Sequence, residues 1–127
     1  MRDHQKILIV DDELNFTKIL SAFLTQRGYE VAVAHSGEAA VEVVQVFCPD
    51  LILLDLGLPD LSGDLAALRI RSESKGRPIP IIAVTGHSDP LSETTARSVG
   101  CVDYVVKPFD PNELCARIER LLEGVLR

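Results

Sequence analysis

Asp11, Asp12, Asp55, Thr85 and Lys107 each stand at the end of a short apolar run. The runs are Ile7–Leu8–Ile9–Val10, Leu51–Ile52–Leu53–Leu54, Ile81–Ile82–Ala83–Val84 and Tyr104–Val105–Val106. Brought to one rim, these residues make three carboxylates, a hydroxyl and an ammonium. Two carboxylates about 4 Å apart repel by roughly 4 kcal/mol at an effective dielectric near 20, so such a group calls for a cation. Magnesium suits sparse carboxylates that leave room for water and a phosphate donor. A carboxylate can also attack a phosphoryl group and form an aspartyl phosphate. Asp55, alone at the end of the most central-looking run, is the candidate nucleophile. Lys107 would offset charge on the transferring oxygens, while the Thr85 hydroxyl and the Gly86 N–H would hydrogen-bond them.

What could bring these residues to one rim is a parallel sheet. The four runs are short, rich in β-branched residues and apolar at every position, as in strands buried on both faces. Ligands of open parallel sheets sit outside the carboxyl ends of the strands. A fifth run, Glu30–Ala34, alternates more and reads as a strand nearer an edge.

Helical patterns separate the strands. Phe16, Ile19, Leu20, Phe23 and Leu24 fall on one helix face, and Gly28 stops that helix. Ala40, Val43, Val44 and Phe47 mark a second, opened by Ser36 as a cap and closed by Pro49. A third starts at Ser62 or Gly63, with Leu65 and Leu68 expected to face inward, and ends before the polar run Ser72–Arg77. Asp89–Pro90 opens a fourth, whose apolar stripe of Leu91, Ala96 and Val99 is thin. Asp110–Pro111 opens a fifth, with Leu114, Ile118, Leu121, Leu122 and Val125 as its stripe. The pattern is βα five times over, a doubly wound α/β arrangement.

At 127 residues, 46% of them hydrophobic, the chain is expected to form a single domain with a proper core. A net charge of −6 argues against nucleic acid or an anionic membrane as direct partners. No apolar stretch approaches the roughly 18 residues that span a bilayer. Residues 1–6 lack the apolar core of a signal peptide, so a cytoplasmic location is expected. Cys48, Cys101 and Cys115 have no zinc-ligand spacing and read as small buried hydrophobes. The isolated His4, His35 and His87 are not expected to bind metal.

Over residues 6 to about 123 the chain resembles a response-regulator receiver domain of bacterial two-component signalling. The resemblance rests on Val10–Asp11–Asp12–Glu13, Leu54–Asp55–Leu56–Gly57–Leu58–Pro59, Ser62–Gly63, Val84–Thr85–Gly86 and Tyr104–Val105–Val106–Lys107–Pro108–Phe109, in that order. It implies a flavodoxin-like (βα)5 fold, a five-stranded parallel sheet in the order 2-1-3-4-5, and a single receiver domain over 1–127. It also implies a phosphoprotein of a phosphorelay rather than an enzyme with turnover on other substrates. Its phosphoryl donor would be the phosphohistidine of a histidine kinase or phosphotransfer protein.

By that resemblance Asp55 is the phosphoacceptor. Asp12 and Asp55 bind Mg²⁺ directly, Asp11 does so through water, and the Gly57 backbone carbonyl completes the protein's share. Gly57 and Gly86 border the phosphoryl group, and Thr85 and Tyr104 form the switch that moves the α4–β5–α5 face. Gly57 and His87, two residues beyond the acceptor and the threonine, border the path of the hydrolysing water. The family also leads us to expect a cis Lys107–Pro108 bond. Many relatives form phosphorylation-dependent homodimers through salt bridges, for which Asp103, Arg117 and Arg120 are candidates, although solvated surface charge explains them as well.

Each motif taken singly has a plainer reading. Asp11–Asp12 could be a strand-to-helix turn that caps the first helix, Thr85–Gly86 a simple turn, and Lys107–Pro108 a strand terminus. A flavin-binding flavodoxin shares the fold but needs a phosphate loop rich in N–H and hydroxyl groups after its first strand, where this chain has two acids. A phosphatase with an aspartyl nucleophile usually carries a second acid where Gly57 stands. A receiver used purely as a phosphorylation-independent docking scaffold usually lacks an acid or the lysine, and all are present here.

Overall fold

The computed structural model describes residues 5–74, 77–86 and 90–125, with the backbone alone at 90–92 and 124–125. Five strands, β1 (Lys6–Val10), β2 (Glu30–Ala34), β3 (Leu51–Asp55), β4 (Ile81–Thr85) and β5 (Asp103–Val106), alternate with five helices. The helices are α1 (Leu14–Gln26), α2 (Gly37–Phe47), α3 (Gly63–Glu73), α4 (Pro90–Ser98) and α5 (Pro111–Val125). All strands pair in parallel, in the order β2-β1-β3-β4-β5. This is the doubly wound, flavodoxin-like topology. After β2 the chain crosses back over β1 to lay down β3, so the winding reverses between β1 and β3, where ligands of such sheets bind.

Side chains alternate across each strand, and the apolar strands therefore feed two separate cores. Leu8, Val10, Ile52, Leu54, Ile81 and Ala83 face α2, α3 and α4. Ile7, Ile9, Leu51, Leu53, Ile82, Val84 and Val105 face α1 and α5. β2 lies at one edge and its residues are mostly half-buried, whereas every residue of β3 and β4 is buried.

Helix boundaries follow local chemistry. The Ser36 Oγ accepts the Ala39 N–H at 3.1 Å and caps α2, and that helix ends on a left-handed Cys48 at φ 53°. Pro111 occupies the first turn of α5 while the Asp110 Oδ1 accepts the Asn112 N–H at 2.9 Å. Asp89, expected to cap α4, and Val125 and Leu91, expected on apolar stripes, fall outside the described side chains.

Four expectations need correction. Leu65 and Leu68 are 51% and 50% exposed, and α3 instead buries Gly63, Ala66, Ala67 and Ile70. Small residues let α3 close against its neighbours: a Cβ added at Gly63 would lie 2.5 Å from the Leu56 Cα. Helix α3 also runs two residues into the polar segment, to Glu73. On α1, Ile19 is 71% exposed while Thr17, Leu20 and Leu24 are buried, so the buried stripe is narrower and rotated. Cys101 and Cys115 are buried as expected, but Cys48 is exposed at the helix end.

Candidate functional site

The carboxyl ends of β1, β3, β4 and β5 place all five chemistry-bearing residues at one rim of the sheet. Asp11 follows β1 and is 1% exposed. Its N–H donates to the Ala34 carbonyl at 3.1 Å, which extends the β1–β2 ladder by one residue. Its Oδ1 accepts the Glu13 N–H at 2.9 Å, which closes a turn, but it does not cap α1, whose N-cap residue Glu13 has no side-chain capping bond. Its Oδ2 accepts from Lys107 Nζ at 2.8 Å. Asp12, next in the chain, is exposed.

Asp55 ends the central strand and is 8% exposed. Its Oδ1 accepts the Gly57 N–H at 3.0 Å. Burial pushes its carboxyl above the usual value of 3.8, the Gly57 N–H opposes that shift, and the Asp11 charge adds to it. Oxygens of Asp11, Asp12 and Asp55 all lie within 4.8 Å of one another. An all-oxygen donor set this compact fits a hard divalent cation such as magnesium.

Lys107 follows β5. Burial works to lower its pKa, but the hydrogen bond and charge of Asp11, helped by Asp55 and Glu13, raise it overall. The ammonium also sits 4.2 Å from the centre of the Phe16 ring, which meets Phe109 edge-on at 6.0 Å between centroids. Lys107–Pro108 is cis, as expected. The Lys107 N–H donates to the Thr85 carbonyl at 2.7 Å, which ties the β5 end to the β4 end.

Thr85 is 2% exposed and continues the register of Ile81 and Ala83, the residues facing α2–α4. Tyr104, paired with Ala83, is half-buried and packs into that same core with Val99 and Ala96. Asp11, Asp55 and Lys107 continue the opposite register, that of Ile9, Leu53 and Val105. Asp11, Asp55 and Lys107 therefore belong to the α1–α5 side, and the threonine and tyrosine to the α4 side. Gly86 is exposed, with open space where a Cβ would stand. His87 lies outside the described residues.

Away from the rim, Arg117 Nη1 donates to the Asp103 Oδ1 at 2.7 Å, so this pair closes within the chain and Arg120 lies beside it. Phe16, His35, Asp60 and Phe109 support the rim without having been singled out from sequence as site residues. Phe16 had an apolar-stripe signal only, and the others bond or stack with partners that spacing does not reveal. Among the described residues no helix is long and apolar enough to cross a membrane.

The model of the response regulator receiver domain matches residues 7–119. The chain belongs to that family. A receiver domain of this kind is a signalling module of two-component systems, and the rim described above is consistent with phosphoryl acceptance. The probable transcriptional regulator ycf27 of Cyanidium caldarium is 44% identical over 124 residues, which cover 98% of this chain and 48% of that protein. Response regulator ArlR of Staphylococcus haemolyticus is 40% identical over 116 residues, 91% of this chain and 52% of that protein. The receiver thus spans about half the length of the curated relatives it matches. Among solved structures, a CheY-like receiver domain protein of Methanospirillum hungatei superposes with a TM-score of 0.87 at 27% identity, covering 95% of this chain and 96% of that one. The receiver domain of the sensor histidine kinase PA1611 of Pseudomonas aeruginosa, which holds a magnesium ion in its active-site cleft, gives 0.85 at 33% identity, covering 94% and 98%.

Proposed function

We propose that this chain is a single receiver domain that takes a phosphoryl group onto Asp55 from the phosphohistidine of a histidine kinase or phosphotransfer protein, in a Mg²⁺-dependent step. The observation that carries this reading is the convergence of Asp11, Asp12 and Asp55 within 4.8 Å, with the Lys107 ammonium at their edge. Asp12, Asp55 and the Gly57 carbonyl would hold the ion, with Asp11 reached through water. When bound, Mg²⁺ offsets the negative charge that gathers on the transferring oxygens.

The remaining chemistry belongs to the chain. An Asp55 oxygen attacks phosphorus, the new O–P bond replaces the donor's N–P bond, and the imidazole leaves with that electron pair and takes up a proton. Lys107 has three N–H donors and uses one on Asp11, which leaves it able to contact a phosphoryl oxygen. The Thr85 hydroxyl and the Gly86 N–H meet the others. Asp55 attacks as the carboxylate, and because the acyl phosphate carries more negative charge than the carboxylate it replaces, Lys107 and the bound cation would have to offset the added charge.

The output follows from which side each residue serves. Thr85 moves toward the phosphoryl group, and Tyr104, in the same core layer, turns into the space it leaves. The face built from α4, β5 and α5 shifts between two states and passes the signal on. In a longer protein that face would govern whatever follows the receiver. Incubation with Mg²⁺ and acetyl phosphate or phosphoramidate tests the reading by intact mass. One phosphoryl adduct, lost in Asp55→Asn, is expected; no adduct, or one that persists in Asp55→Asn, overturns it.

A further inference from the structure

We propose that Asp60, which is neither acceptor nor metal ligand, is a positioning residue that straps the acceptor loop to α2 and so sets the affinity for Mg²⁺. The proposal rests on the functional reading above. The acceptor loop, residues 56–62, carries the Gly57 carbonyl and leads from Asp55 to α3. It is anchored at its start, where the Gly57 N–H reaches Asp55, and at its end, where the Gly63 N–H donates to the Leu56 carbonyl at 3.3 Å. Its outer turn is fastened by Asp60. The Oδ1 accepts the Gly37 N–H at 2.9 Å and the Oδ2 accepts the Glu38 N–H at 3.0 Å.

These are orphan donors of the first turn of α2. Ser36 caps the same helix but takes only the Ala39 N–H. A local side chain could have served the rest. Here the acceptor comes instead from a loop more than 20 residues away, which converts a cap into a cross-link. Leu61 and Gly37 are in close contact beside it: a Cβ at Gly37 would lie 2.8 Å from the Leu61 Cβ, so a side chain there would prise the loop off the helix. The other side of the same segment reaches the other half of the site, since the His35 Nδ1–H donates to the Asp11 carbonyl at 3.1 Å. The stretch His35–Glu38 supplies no carboxylate to the cluster, yet it touches both the Asp11 turn and the acceptor loop. It spans the gap across which Asp11–Asp12 and Asp55–Gly57 must keep their spacing.

Asp60 is exposed, and the N–H groups of Glu38 and Gly37 hold its carboxyl below the usual range, so the strap stays ionised. Its main consequence is therefore for loop geometry, and metal affinity is where loop geometry is read.

The test compares Asp60→Ala, Asp60→Asn and Ser36→Ala with the unsubstituted chain, titrating MgCl2 and following the Gly57 and Gly86 amide signals by NMR. Outer-shell partners of metal ligands typically carry 10–100-fold in affinity, and Asp60→Ala is expected near the low end, about tenfold weaker. Asp60→Asn, with one acceptor left, should fall between. Ser36→Ala also strips a cap from α2 and should lower the melting temperature, yet bind Mg²⁺ as the unsubstituted chain does. Acetyl phosphate labelling of Asp60→Ala should need more Mg²⁺ for half-maximal rate while the rate at saturating Mg²⁺ is kept. Unchanged Mg²⁺ affinity in folded Asp60→Ala overturns the proposal, and so does an equal loss in Ser36→Ala, which would make capping alone responsible. Should Asp60→Ala fail to fold, Asp60→Asn decides in the same way: weaker binding supports the strap and equal binding refutes it. An unsubstituted chain that binds no Mg²⁺ overturns the functional reading itself, and that result is visible before any substitution is made.

Discussion

Removing the charge of Asp55 should make this receiver more stable while abolishing its proposed chemistry. The three acids crowd within 4.8 Å. One pair of unit charges at that separation repels by about 3.5 kcal/mol at an effective dielectric near 20. Lys107 offsets part of this, but its hydrogen bond goes to Asp11. Asp12 is exposed and its contribution is screened by water. Burial is the larger cause and the Asp11 charge adds to it: the Asp55 carboxyl is pushed above 3.8, so the ionised form is disfavoured in the fold. We expect Asp55→Asn, which keeps an oxygen to accept the Gly57 N–H, to recover part of that pairwise repulsion, on the order of 1–2 kcal/mol at pH 7 without metal. That corresponds to a rise of about 3–8 °C in Tm for a chain of this size.

The sign with pH follows from the direction of the shift. A carboxylate whose folded pKa is raised destabilises the fold above that pKa, and the cost disappears once both states are protonated. The gap between Asp55→Asn and the unsubstituted chain should therefore be widest at pH 7–8 and narrow as pH falls toward the ordinary carboxylate range. Mg²⁺ should close it from the other direction by stabilising the unsubstituted chain more than the variant. Thermal unfolding by circular dichroism, in EDTA and in Mg²⁺ across pH, measures both. A variant less stable at pH 7, or a gain that does not shrink on acidification, would refute the electrostatic reasoning.

Further outcomes are expected. Lys107→Met leaves the buried Asp11 without its cation and should cost about 2 kcal/mol in EDTA, less than a fully buried pair because Lys107 is partly exposed, with much of the loss recovered in Mg²⁺; equal losses with and without the metal would count against a shared charge balance. Gly57→Met should fold normally, because a Cβ there meets only the Asp55 Oδ1 at 3.6 Å, and should slow loss of the phosphoryl group; an unchanged decay rate would show that this position does not gate water. Sedimentation with and without beryllofluoride and Mg²⁺ tests assembly through the Asp103, Arg117 and Arg120 face. A shift toward dimer supports it, and an unchanged monomer leaves the Asp103–Arg117 pair as an intrachain tie.

Strand content and site composition were legible because both depend on position along the chain. In a doubly wound sheet buried on both faces, strands carry no polar interruptions, so the first polar residue after each run marks the rim. That is why Asp11, Asp55, Thr85 and Lys107 could be located without knowing any contact. Helix facing was less legible, because α3 hides its small residues rather than its large ones. Ala66 and Ala67 are fully buried while Leu65 and Leu68 are half exposed. Close approach of α3 to the acceptor loop, where Gly63 packs on Leu56, favours small side chains at the contact, and no periodicity count that weights size can see this.

Partnerships were the least legible of all. Asp11, Asp55 and Lys107 could be assigned to one rim, but strand parity is the same for both acids and does not say which of them holds the ammonium; in the folded chain it is Asp11. Asp60 is harder still, since its partners are the backbone N–H groups of Gly37 and Glu38, and backbone donors leave no mark in a sequence. The acids that do chemistry are marked by the strands they end. The acid that fastens the acceptor loop to α2 is marked only by the geometry of the folded chain, so a substitution there looks neutral by composition, and on the proposal above its effect is to be sought in metal affinity.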